Sequence, residues 1–138
     1  MRAQRVAANP AAGLVASVDL APDARSAGRA RTFIAQFCAS AGLPGEIRRT
    51  ASLLVSELVT NAIVHGRSGA TVDAGISADR VLRVAVSDGD PAPLPSVDLQ
   101  PRTSAEGGRG LLIVSLLASR WGFAPAAGGK AVWFELDA

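Results

Sequence analysis

The chain has 138 residues, the length of one ordinary domain, and its 49% hydrophobic and 19% charged content excludes a disordered or low-complexity chain. The net charge of +2 comes from basic residues spread along the sequence, so neither a nucleic-acid patch nor a like-charged block is present. Cys38 is the only cysteine, which excludes an intrachain disulfide and a cysteine-built metal site; as a small buried apolar side chain it fits a reducing cytoplasm.

Residues 1 to 14 are Ala-rich, contain Asn9-Pro10, and are expected as a flexible tail ahead of a single domain over residues 15–138. They lack the sustained apolar core of a signal peptide. The longest apolar run, "LLIVSLLA" from Leu111 to Ala118, is far short of a membrane span, so no membrane association is expected. "LVASVDL" reads as a first strand. Pro22 suits the first turn of a helix, and "DARSAGRARTFIAQFCASAG" continues it, with Ala30, Phe33, Ile34, Phe37 and Cys38 at helical spacing until Gly42 and Pro44. "EIRRTASLLVSELVTNAIVHG" predicts a longer second helix that stops at Gly66. "ATVDAGIS" and "VLRVAVSDG" have period-two character and flank a hairpin-sized turn, "ADR". Pro91, Pro93, Pro95 and Pro101 break up the following segment into a loop. "LLIVSLLAS" predicts a third helix, and "WGFAP" and "KAVWFEL" two last strands, with Trp121 and Trp133 taken as core. Helices and strands mix without strict alternation. The expected fold class is α/β of the α+β kind: a two-layer sandwich with a mixed, mostly antiparallel sheet and helices on one face.

Three features carry chemistry. On the second helix, Glu57, Asn61 and His65 recur every four residues, at about 0°, 40° and 80° on the helical wheel, interleaved with Leu54 and Leu58. The rest of that wheel is apolar, and polar groups on a buried helix need partners. The line is either the helix's solvated edge or the wall of a ligand cavity. In the second case Glu57 offers a base, and Asn61 a carbonyl oxygen of the kind that Mg²⁺ accepts beside phosphates. His65, next to the Gly66 stop, suits a C-terminal cation or cap. Next, Asp88-Gly89 closes a strand, either as a turn former or as a carboxylate able to accept from an exocyclic amine. Finally, Gly107, Gly108 and Gly110 precede an apolar helix with Arg109 among them, an arrangement suited to close backbone approach and to phosphate at a helix N-terminus. It is neither a Walker A loop nor the dinucleotide fingerprint, because GxxxxGK[ST] is absent and Ile113 stands at the third glycine position.

The ordered set "SELVTNAIVHG", "VSDGDPAPLP", "EGGRGLLIV" and "GGKAVWFEL" resembles the GHKL ATPase superfamily of histidine kinases, gyrase and Hsp90-type chaperones, over residues 17 to 137. With no phosphoacceptor-histidine domain expected before it and no transducer domain after it, the chain looks most like the small anti-sigma-factor serine kinases of bacteria. That resemblance implies a Bergerat ATP-binding fold in a cytoplasmic protein, with ATP or ADP and Mg²⁺ as cofactors. Glu57 would match the catalytic base and Asn61 the Mg²⁺ ligand. Asp88 would match the reader of the adenine amine, with Gly89 leaving the base room. Gly108, Arg109, Gly110 and Leu111 would lie along the phosphates, His65 would border the nucleotide, and residues 91–106 would form a lid.

The implied activity is that of a serine/threonine protein kinase. It would transfer the γ-phosphate to a STAS-type anti-anti-sigma partner that competes with a sigma factor for this chain, which is itself a possible homodimer. The sequence departs from the family pattern in two places. A threonine often opens the last strand after the glycines; here Lys130 is followed by Ala131. The lid is short and proline-rich. These departures suit the alternative of a catalytically weak or inactive module that regulates transcription by protein binding alone.

Overall fold

The computed structural model describes residues 4–9, 13–66, 69–88, 108–126 and 129–138. Their elements run β1 (Gln4–Asn9), β2 (Gly13–Leu20), α1 (Ser26–Ser40), α2 (Gly45–Gly66), β3 (Ala70–Ile76), β4 (Val81–Asp88), α3 (Gly108–Leu117), β5 (Arg120–Ala126) and β6 (Gly129–Asp137). The strands form one sheet in the order β1-β2-β3-β4-β6-β5, and all its described pairings are antiparallel.

Two boundaries differ from expectation. Residues 4–9, expected within the flexible tail, pair along β2 as β1, with Gln4 opposite Val18 and Asn9 opposite Gly13. The segment "QRVAAN" has one β-branched residue and little strand propensity of its own; pairing with the edge of β2 makes the strand. Pro22 lies outside α1, which starts at Ser26. The reason is local: Asp23 Oδ1 accepts the Arg25 N–H at 2.8 Å and the Asp23 carbonyl accepts the Ser26 N–H at 2.9 Å, so Asp23 builds a turn before the helix. At the other end Gly42 takes φ +69°, and the Leu43 N–H reaches the Cys38 carbonyl at 3.0 Å, the left-handed stop that glycine tolerates.

Strand alternation sorts the sheet into two faces. Val18, Leu20, Val72, Ile76, Leu82, Val84, Val86, Phe134 and Leu136 are buried beneath the helices. From above, α1 contributes Ala30, Phe33, Ile34, Phe37 and Cys38, and α2 contributes Ala51, Leu54, Val55, Leu58, Val59 and Ala62. Cys38 is fully buried as expected, and burial pushes its thiol pKa up to about 11. The opposite sheet face carries no described helix. Trp133, expected in the core, sits there half-buried with the Arg83 guanidinium 4.2 Å above its ring. Its place in the alternating pattern, one residue before buried Phe134, turns it outward. Trp121 pairs with Phe134 across the strands and packs against the core. None of the described helices is long and apolar enough to cross a membrane.

Near the Asp137 end of β6, Arg120 Nε lies 2.6 Å from Glu135 Oε1, Arg83 Nη1 lies 3.2 Å from Glu135 Oε2, and Arg120 also pairs with Asp137. The Arg120 hydrogen bond, helped by Arg83 and opposed by burial, holds the Glu135 carboxyl below the usual carboxylate range.

Truncating Phe134 to alanine is expected to cost about 3–5 kcal/mol, read by chemical denaturation; a loss under about 1 kcal/mol contradicts its place in the core. Because Glu135 has its pKa depressed by folding, its contribution is present above the unfolded value, near 4.3, and is lost as pH falls through the folded value. Denaturation midpoints of Glu135→Gln should therefore fall less steeply than wild type between about pH 5 and pH 3. Parallel curves for the two proteins contradict the coupling.

Candidate functional site

The site begins with how α2 is seated. Its buried stripe, Leu54 at 0% and Leu58 at 2% exposure, presses on the sheet and on α1. Glu57 and Asn61 lie on the flank of that stripe and are half-buried, one turn apart. Neither side chain makes a hydrogen bond or ion pair with another described residue. His65 is in the last turn of α2, and its side chain lies outside the described residues.

Topology brings the other elements to the same end. Four residues after α2 ends at Gly66, β3 starts at Ala70, which pairs with Asp88 at the end of β4. Asp88 in turn pairs with Lys130 at the start of β6. The α3 helix leads into Arg120, which lies opposite Glu135 at the far end of β6. A helix of 10 residues spans about 15 Å, so α3 starts back at the Asp88 end.

The first turn of α3 meets α2 directly. A Cβ placed on Gly110 would lie 2.7 Å from Asn61 Nδ2, so only a glycine leaves the Asn61 amide where it is. The glycines were expected to precede this helix; instead Gly108, Arg109 and Gly110 form its first turn. First-turn N–H groups have no intrahelical partner in any case, so glycine weakens the helix little there and leaves those donors exposed to a ligand. Leu111 follows, packed against the core beside fully buried Val114. The side chain of Arg109 lies outside the described residues, as do Gly89 and the expected lid at 91–106.

Asp88 lies on the helix-covered face, in line with buried Val86 and Val84. Its Oδ2 is 3.8 Å from Lys130 Nζ, and the two side chains are only 11% and 15% exposed. Lys130 was not among the expected site residues. The alternation of "KAVWFEL" contained the signal: Lys130, Val132 and Phe134 share one face. Ala131 lies opposite Ser87 on the other face. The residue facing Asp88 is thus Lys130, and a hydroxyl at position 131 would point away from it.

Chemically, this end of the sheet gathers an acid, a hard amide oxygen, open helix N–H donors and a nearly buried carboxylate–ammonium pair. Among the described residues no group of three or more His, Cys, Asp or Glu could hold a metal. A hard cation here would take Asn61 Oδ1 and complete its shell with phosphate oxygens, as Mg²⁺ does with nucleotides. The donor set fits Mg²⁺-ATP. A separate open depression of about 370 Å³ on the bare sheet face, lined by Val15, Ser17, Asp73, Gly75, Arg83 and Ala85, shares none of these groups.

The sequence profile of the histidine kinase-like ATPase domain matches residues 20–136 of this chain. The chain therefore belongs to the histidine kinase-like ATPase domain family, within the GHKL superfamily. Among solved structures it is similar to the crystal structure of the RsbU and RsbW domains of Rv1364c from Mycobacterium tuberculosis. The TM-score is 0.69 and the identity 21%, with 89% of this chain and 32% of that chain covered. The chain thus spans about a third of that protein's length, and the likeness is one of fold. No curated protein matches.

In Gly110→Ala the added methyl is expected to turn the Asn61 amide aside. Stability should change by no more than about 1 kcal/mol, because the atom in the way is the end of the Asn61 side chain, which can swing aside. The Asn61 side-chain amide resonances should shift in NMR spectra. Unmoved Asn61 signals contradict the contact.

Proposed function

We propose that this chain binds Mg²⁺-ATP between α2, α3 and the Asp88 end of the sheet, and acts as a serine/threonine protein kinase of the anti-sigma-factor type. The observation that carries the proposal is the seating of the Asn61 amide against Gly110, with Glu57 one turn away on the same helix flank. Family membership supports the nucleotide, because the matched domain is an ATPase domain.

Each residue has a distinct task. Asn61 Oδ1 holds the magnesium ion. The first-turn N–H groups from Gly108 to Leu111, with the Arg109 charge, neutralise phosphate oxygens at the α3 N-terminus. Asp88 accepts from the exocyclic amine of adenine, with Gly89 leaving space beside it, and His65 borders the nucleotide at the end of α2. Glu57 orients the acceptor hydroxyl and takes its proton at a carboxylate oxygen. The bound nucleotide supplies the transferable γ-phosphoryl group. Transfer of that kind needs alignment and charge neutralisation more than covalent help from the protein, which suits a site with one acid and many donors. The acceptor is a serine or threonine on a STAS-type anti-anti-sigma protein, and a sigma factor competes for the same chain.

A second reading, a module that binds nucleotide weakly and works by protein contact alone, is favoured by one observation. The residue that faces Asp88 is Lys130, whose ammonium already engages the carboxylate that would read the adenine amine.

Incubation with γ-labelled ATP and candidate STAS proteins tests the proposal. Wild type should label the acceptor. Glu57→Ala should lower transfer by a factor of about 10² or more while nucleotide affinity stays within about twofold. Transfer at the wild-type rate by Glu57→Ala contradicts its role as base, and binding without any transfer by wild type favours the second reading. Asp88→Asn should weaken ATP binding by about tenfold and narrow the preference for ATP over GTP; unchanged discrimination contradicts its role at the base.

A further inference from the structure

Lys130 is the most buried cation in the ion pairs of the described residues. Its side chain is 15% exposed and that of its partner Asp88 is 11%. The arginines of the other pairs are 48% to 77% exposed. Surface pairs such as those are worth little and need no special purpose. A nearly buried pair is different, because both charges lose hydration and the attraction between them recovers only part of that loss. Such a pair is weak as a stabilising device, and its place in the fold points to another use.

That place is the covered sheet face at the end where α2 stops and α3 starts. Lys130 and Asp88 are direct cross-strand partners, next to Val132 and Val86. They set a hydrogen-bond donor, the ammonium, beside an acceptor, the carboxylate. Adenine shows the complementary edge: the N6 amine donates, and the adjoining N1 accepts. Resting on the proposed nucleotide site, we infer that Lys130 is a specificity-determining residue that donates to adenine N1 while Asp88 accepts from the N6 amine. A charged donor there is stronger than a hydroxyl or a water, and its attraction for Asp88 holds the carboxylate in register with it.

Guanine in the same pose would set O6 against the Asp88 carboxylate and N1–H against the Lys130 ammonium, so a comparison of ATP with GTP reads both residues at once and cannot isolate Lys130. An ATP analogue with N1 replaced by C–H, 1-deaza-ATP, removes only the acceptor assigned to it. Affinities of ATP and 1-deaza-ATP should be measured by calorimetric titration, or by displacement of a fluorescent nucleotide, for wild type, Lys130→Met and Lys130→Arg. Methionine keeps the length of the side chain and removes the charge, and arginine keeps the donor.

Wild type should prefer ATP by about tenfold. Lys130→Met should bind ATP about tenfold more weakly and hold the two nucleotides within about twofold of each other, whereas Lys130→Arg should keep the preference. Equal binding of the two nucleotides by wild type overturns the inference, whatever the variants do. So does a Lys130→Met protein that loses affinity for both nucleotides equally and keeps the tenfold preference, because Lys130 would then only tether Asp88. If wild type binds neither nucleotide, the proposed nucleotide site itself fails and this inference goes with it.

Discussion

The seating of α2 on the sheet is the constraint on which the rest of the molecule depends. Leu54, Val55, Leu58, Val59 and Ala62 are all buried, between the sheet on one side and α1 on the other. Each large aliphatic group so placed contributes about 1.5–3 kcal/mol. Together they fix the rotation of the helix about its own axis. That rotation decides where Glu57 and Asn61 point, because they share the wheel with the leucines. Had α2 turned by a quarter, Asn61 would leave Gly110 and the acid would leave the site end of the sheet.

Two consequences reach the chemistry. First, α3 can approach α2 closely only because Gly110 has no side chain, and this approach brings open N–H donors beside a hard amide oxygen. Second, charge is divided between the two faces of the sheet. The uncovered face holds the exposed Arg83–Glu135–Arg120 group, with Arg83 stacked on Trp133. The covered face holds Asp88 with Lys130, where water is scarce and a polar ligand edge is recognised more strongly than it would be at the surface. Anchored donors in such surroundings are what binding of a purine triphosphate requires.

Much of this was legible in the sequence. Residue spacing revealed α2, its stop at Gly66, the β3–β4 hairpin and Asp88 at a strand end, because those signals are local. The order of the motifs then pointed to the GHKL superfamily, which the family match bears out. What the sequence hid depends on pairing between distant segments. The β1 strand has almost no propensity of its own and exists through β2. Trp133 looked like core by size, yet the alternation set by Phe134 turned it to the bare face. The approach of Gly110 to Asn61 joins residues 49 positions apart in sequence, and nothing local announces it. Alternation in the last strand sets Lys130 on the face of Phe134, but a lysine at a strand end has the local pattern of a solvated charge. Only the register with Asp88 shows which residue faces the site.

Calorimetric titration of ATP into the full chain, with and without magnesium, tests most directly whether α2, α3 and the Asp88 end of the sheet enclose a nucleotide. Saturable binding at a single site per chain is expected, weakened when magnesium is withheld and insensitive to magnesium in Asn61→Ala. No heat with millimolar nucleotide, or binding that Asn61→Ala leaves equally dependent on magnesium, would contradict that placement.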